Sequence, residues 1–130
     1  MYDLHLYYAF LFIYWVPLDV VNSGFFIELS SMLLSITGRP AFVGEWSLAL
    51  PWYGRVREDL NAMTLEEKDA MRVTFATRQI NGMTRHGRLG GYVWTWHAPD
   101  DSDKPNWSLQ HMLSQGFIQP GQWAAAPSVA

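Results

Sequence analysis

Between residues 64 and 87 one local structure is signalled at both ends and along its length. Thr64-Leu65-Glu66-Glu67 has the residues of a capping box, in which a threonine hydroxyl accepts from an early helical N–H and a glutamate three residues on reaches back. Behind it Val73, Ala76, Ile80 and Met83 recur at spacings of 3, 4 and 3, which sets them on one helical stripe. Glu66, Lys68, Arg72 and Arg78 then fall on the solvated side, and His86-Gly87 supplies a C-cap. The pattern predicts a helix from about Leu65 to about Met83. On its N-terminal side, the turn residues Gly38-Arg39-Pro40 precede Ala41-Phe42-Val43-Gly44-Glu45-Trp46, a short buried strand. On its C-terminal side, Gly90-Gly91 leads into Tyr92-Val93-Trp94-Thr95-Trp96, a strand by content, with Tyr92, Trp94 and Trp96 on one face. Strand, helix and strand in that order predict an α/β architecture with parallel pairing.

The N-terminal segment adds another strand. In Asp3-Leu4-His5-Leu6-Tyr7, alternation puts Asp3, His5 and Tyr7 on one side, with Leu4, Leu6 and Tyr8 on the other. A lone histidine in such a place is ordinarily a hydrogen-bonded structural residue. Leu6 to Val16 is an uninterrupted run of eleven apolar residues, closed by Pro17. A membrane-spanning helix needs roughly 20, and a signal peptide needs a basic leading segment that this chain lacks. Membrane insertion is therefore not the expectation. A second apolar patch runs from Met32 to Ile36, after Asp19, Asn22, Ser23, Gly24 and Glu28. At the other end, Trp107 to Leu113 predicts a last short helix, and the Ala-, Pro- and Ser-rich residues from Gln122 predict a frayed tail.

Composition narrows the function classes. With 130 residues, 49% of them apolar, the chain can bury a core as one small domain. The net charge is −3 and no basic run occurs, so a phosphate-tracking surface for nucleic acid is not expected. Without cysteine there is no disulfide, thiol nucleophile or cysteine-based zinc site. His5, His86, His97 and His111 show no ligand spacing, and no metal is expected. Asp100-Asp101-Ser102-Asp103 lacks the glycine and closing glutamate of a calcium loop. Asn106-Trp107-Ser108 matches the glycosylation tripeptide in form only, a pattern common by chance. Seven Trp, six Tyr and seven Phe make up 15% of the chain, which either fills the core or offers flat faces for sugar rings. Glu45 ends an apolar strand. A carboxylate there either exits to solvent or is held for use.

Three segments carry a resemblance when taken in order. They are Asp3-Leu4-His5-Leu6-Tyr7-Tyr8-Ala9-Phe10, Val43-Gly44-Glu45-Trp46-Ser47-Leu48-Ala49, and Gly91-Tyr92-Val93-Trp94-Thr95-Trp96 followed by Asn106-Trp107-Ser108-Leu109-Gln110. Together with Gly116-Phe117-Ile118-Gln119-Pro120, the set resembles strands six to eight of glycoside hydrolase family 5, in its exo-β-1,3-glucanase branch. It covers residues 2–10 and about 39–120. The resemblance implies the C-terminal part of a (β/α)₈ TIM barrel, incomplete in this chain, with the site at the C-terminal strand ends. It implies retaining hydrolysis of β-glucan with Glu45 as nucleophile and no cofactor. His5 and Tyr7 would line the site, Tyr7 holding the nucleophile. Trp96 would floor the sugar beside the scissile bond, and Trp94 and Trp107 would contact sugar or pack. The substrate class would be a β-glucan or its oligosaccharides, and the location secreted or cell-wall-associated.

Two departures qualify the expectation. The family's acid/base glutamate lies in an Asn-Glu pair that is absent here, so the 130 residues alone are expected to turn over little. Residues 11–37 match the family poorly. The expected organisation is a partial catalytic domain over 1–120 and a disordered tail over 121–130. The competing reading is an aromatic-rich carbohydrate-binding or membrane-associated module without catalysis.

Overall fold

The computed structural model describes residues 2–8, 14–36, 38, 41–84 and 91–122. Its elements run β1 (Tyr2–Leu6), α1 (Leu18–Asn22), α2 (Phe25–Ile36), β2 (Ala41–Trp46), α3 (Gly54–Ala62), α4 (Leu65–Thr84), β3 (Gly91–Val93), α5 (Lys104–Trp107) and α6 (Leu109–Ser114). The chain is thus mixed helix and strand, as the α/β expectation has it. Among the described residues the strands form one sheet in the order β1-β2-β3, with both pairings parallel. Each crossover passes through helix, because parallel neighbours cannot be joined by a hairpin.

The helix α4 forms where the capping signal lies. The backbone N–H of Thr64 donates to Glu67 Oε2 at 2.7 Å, and the Glu67 N–H donates to Thr64 Oγ1 at 3.2 Å. This reciprocal pair satisfies two donors that a helix start otherwise leaves open. Three of the four residues of the expected stripe, Ala76, Ile80 and Met83, are buried, and the buried face is wider than expected. Val73 is exposed, whereas Met71, Phe75, Ala76, Gln79, Ile80, Gly82 and Met83 are buried. Arg72, expected on the solvated side, is largely covered: it bonds Asp69 at 2.7 Å and Asn106 at 3.3 Å and lies over the Phe117 ring. The wider face is needed because α4 meets both the sheet and the C-terminal turns.

Other expectations need correction. The strand expected at 92–96 is Gly91–Val93 instead, its pairing with β2 ending at Val93 opposite Trp46. Trp94 and Trp96 therefore do not continue a strand face. The last helix is two helices divided at Ser108, whose hydroxyl accepts from the His111 N–H at 3.3 Å to start α6. The stretch between β1 and β2, for which the sequence pattern predicts no element, contains α1 and α2. Ser23 links them by accepting the Phe25 N–H at 3.2 Å. Gln122, assigned to the tail, is tied back to Thr77 on α4 at 3.2 Å. Gly38 takes the positive φ of the expected turn, 63°, while Arg39, Pro40, the His86-Gly87 cap and the remainder of the tail lie outside the described residues. No described helix is long and apolar enough to cross a membrane.

One buried cluster joins these elements. Leu18 and Val21 of α1, Ile27 of α2, Val43 and Trp46 of β2, Val56 of α3 and the α4 face meet Met112, Phe117 and Ile118. Tyr8 closes the end of β1 against it, edge-on to Phe75 at 5.0 Å between ring centres.

Candidate active site

The register around Glu45 is irregular on both sides. On β1, Leu4 faces Val43 and His5 faces Glu45, so Gly44 is passed over. On β3, Gly91 faces Val43 and Val93 faces Trp46, so β2 again carries one residue more than its neighbour. An extra residue bends a strand and turns its side chains. Here it lets Val43 and Trp46, three positions apart, both enter the core. Glu45 is left part-exposed at the C-terminal end of β2. A glycine at 44 suits that irregularity, as it has no side chain to place.

His5 of β1 and Tyr7, just past its end, converge on the carboxylate. The Tyr7 hydroxyl donates to Glu45 Oε2 in a short hydrogen bond. His5 Nδ1 lies 3.4 Å from the same oxygen, with the side chains of His5 and Glu45 50% and 31% exposed. His5 is therefore a rim residue, not a core histidine. Burial first, then the hydrogen bond to Glu45 and that carboxylate's negative charge, push the Tyr7 phenol well above its ordinary pKa. Tyr7 accordingly stays a neutral donor through the whole acid and neutral range. The imidazole meets the phenol ring nearly edge-on, at 6.4 Å.

Trp107 forms the next wall, its ring 5.7 Å from that of Tyr7. It is held by its own backbone and its neighbours. The Thr95 N–H donates to the Trp107 carbonyl at 2.5 Å, and the Leu109 N–H donates back to Thr95 at 2.8 Å. The Leu48 N–H, just past Glu45, donates to the Asn106 carbonyl at 2.9 Å. Trp94 and Trp96 flank Thr95 and are both exposed. The Trp94 N–H donates to the Trp46 carbonyl at 2.8 Å. The Trp96 carbonyl accepts from Gln110 N–H at 3.1 Å and from Ser108 Oγ at 3.2 Å. The structure thus gathers Glu45, Tyr7, His5 and Trp107 directly. It ties Trp94 and Trp96 to the same group of segments through the backbone.

Two supporting residues escape sequence reasoning. Gln79 is fully buried on α4, and its Nε2 donates to the Ser47 carbonyl at 3.0 Å, pinning the turn after Glu45. Arg72 holds Asn106 and hence the turn that carries Trp107. A polar residue one turn after an apolar one on a buried face is the signal that could have found Gln79.

Chemically the arrangement is an oriented carboxylate on a strand end, with a neutral hydroxyl donor and an imidazole on one of its oxygens and an aromatic wall beside it. A carboxylate held in this way can attack an electrophilic carbon or stabilise a cation.

Comparison with known proteins gives one kind of answer. The chain is similar to the probable glucan endo-1,6-beta-glucosidase B of Aspergillus flavus, with 30% identity over 118 residues. Those residues are 91% of this chain and 27% of the relative, so the chain spans about a quarter of that protein's length. No family profile matches the chain. No solved structure matches it either.

Proposed function

We propose that the chain is the nucleophile-bearing part of a retaining glycoside hydrolase that acts on β-glucan. The observation that carries the reading is the Tyr7–Glu45 hydrogen bond at the C-terminal end of adjacent parallel strands. Retaining glycosidases need one carboxylate to attack the anomeric carbon and form a glycosyl ester. A neutral phenol on Oε2 holds that carboxylate against a rigid strand, which keeps the attacking oxygen within reach of the sugar carbon. His5 bounds the same side. Trp107, and by resemblance Trp96 and Trp94, offer faces to the sugar ring.

The motif set supports assignment to family 5, with residues 1–120 as part of a (β/α)₈ catalytic domain. The strand order, in which each parallel strand is added beside the one before it, fits that winding. The same motifs favour an exo-β-1,3 enzyme, secreted or cell-wall-associated, whereas the relative's printed name specifies an endo-1,6 enzyme. Comparing hydrolysis of laminari- and gentio-oligosaccharides distinguishes the two.

The role of Glu45 is tested on an aryl glucoside. Protonation of a poor leaving group by a general acid is worth about 10²–10⁴-fold. A 2,4-dinitrophenyl β-glucoside leaves without that help. The 130-residue chain should therefore release dinitrophenol above background while leaving β-glucan nearly intact, and Glu45→Ala should abolish the release. Release that survives Glu45→Ala overturns the assignment.

A further inference from the structure

A second site is built from the segments that follow β1 and β2, the same two strands whose C-terminal ends present Tyr7 and Glu45. Tyr14, Trp15, Pro17, Gly54, Arg55 and Glu58 line a groove of about 680 Å³, within the range that holds small ligands. We infer that this groove binds a hexosyl unit of the glucan chain, away from the bond at Glu45. The inference rests on the glucan reading above and extends it.

The groove is fixed before any ligand arrives. The Arg55 N–H donates to the Tyr14 carbonyl at 3.0 Å. Gly54, at φ 63°, sits so close that a Cβ there would lie 2.6 Å from the same carbonyl oxygen. Any other residue would push the two loops apart. The Leu18 N–H donates to Asp59 Oδ2 at 2.9 Å, and Arg55 Nε bonds Asp59 Oδ1 at 3.0 Å. Yet the rings these loops carry are not packed away. Trp15 is 93% exposed, and Tyr14 and Trp52 are exposed too. Tyr53 spans them, 4.9 Å from Tyr14 and 5.6 Å from Trp52 between ring centres. An exposed indole on a pinned backbone contributes little to folding, but it presents an apolar plane suited to the C–H face of a pyranose.

The polar groups select the ligand. Arg55 and Glu58 stand 3.9 Å apart, too far for a hydrogen bond. A donor and an acceptor so placed can take neighbouring hydroxyls of one ring, the guanidinium donating and the carboxylate accepting. Their charges cancel, and Asp59 beside them adds a negative one, so an anionic ligand is disfavoured. A flat apolar plane beside a neutral donor–acceptor pair describes an uncharged polyol ring.

The test is an amide chemical-shift titration of the full chain with β-1,3- and β-1,6-linked glucotetraose, and with a tetragalacturonate as the anionic counterpart. Either glucan should shift the amides of residues 14–16 and 54–58, with the tetragalacturonate shifting them little. Trp15→Ala and Glu58→Gln should each weaken those shifts about tenfold in Kd, as loss of an anchoring contact does. Trp15 is solvent-exposed, so its removal leaves the fold in place. Glu45→Gln should leave the groove's response unchanged. Shifts at Tyr7, Glu45 and Trp107 with none at 14–16 or 54–58 overturn the groove and leave the proposed function standing. Shifts in the groove alone support it and count against Glu45. Equal response to tetragalacturonate overturns the neutral-ring assignment, and no response anywhere overturns both readings.

Discussion

Tyr7 donates its only hydroxyl proton to Glu45, and the phenol's titration reports that contact. Its pKa is raised by burial first and by Glu45 second, through hydrogen bond and charge. Replacing Glu45 with Gln removes the charge and leaves the burial. The Tyr7 phenol should then titrate lower than in the parent, yet still above the ordinary value of about 10. Tyr8, raised chiefly by burial, serves as the internal control and should not move. Phenolate absorbance, or the ¹³Cζ shift of each ring, reads the two apart. An unchanged Tyr7 in Glu45→Gln would mean that the two groups do not meet in solution. The same shifts fix a pH dependence of stability. Both tyrosines bind their protons more tightly folded than unfolded. Their contribution is complete below pH about 10 and is lost as pH rises through their folded values. Urea midpoints should therefore fall in alkali, and less steeply once Tyr7 is replaced by Phe.

At the scale of elements, the contact between α2 and α4 turns on one missing side chain. A Cβ at Gly82 would lie 2.8 Å from Ile27 Cγ1 and 2.9 Å from its Cγ2. Alanine is the better helix former by about 1 kcal/mol, but overpacking a close core typically costs about 1–3 kcal/mol. Packing should win: Gly82→Ala should lower the free energy of unfolding, and combined with Ile27→Ala it should cost less than the sum of the two single changes. A stabilised Gly82→Ala would show that α2 does not seat on α4 as described. These elements also show what the amino-acid pattern reveals. The α4 start was legible because Thr64 and Glu67 act locally. The Glu45 strand was legible because turn residues precede an apolar run. The α1–α2 pair was not, because apolar residues crowd every face there and erase the period. The extra residue at Gly44 was not either, since one inserted position leaves no repeat to find. Glu45, His5, Tyr7 and Trp107 were named through their resemblance to a family. What the structure adds is that they meet, and that Gln79 and Arg72 brace the turns beside them. Those braces act across long stretches of sequence and carry no spacing signal.

The whole molecule leaves apolar surface and strand edges uncovered among its described residues. β2 is paired on both sides, but β1 and β3 each present an outer edge. Unpaired edges are templates for further pairing. On α2, Phe25, Leu29, Leu33 and Ile36 are exposed at intervals of 4, 4 and 3, forming one stripe along the helix. A contiguous apolar stripe on a soluble surface marks a contact with something else. In dilute buffer the nearest partner for the 130-residue chain is another copy of itself. Sedimentation velocity should show mass increasing with protein concentration, and Leu33→Glu with Ile36→Lys should return the chain toward a monomer. Both positions face solvent, so circular dichroism should be unchanged. If association persists in that double variant and is relieved instead by a proline placed in β1 or β3, the edges and not the helix drive it. A chain that remains monomeric at every concentration would contradict both. The outcome also bears on Glu45: association through α2 leaves the C-terminal ends of the strands open to substrate. Pairing at the β1 edge adds a strand beside the residues that present His5 and Tyr7, and should suppress dinitrophenol release as concentration rises.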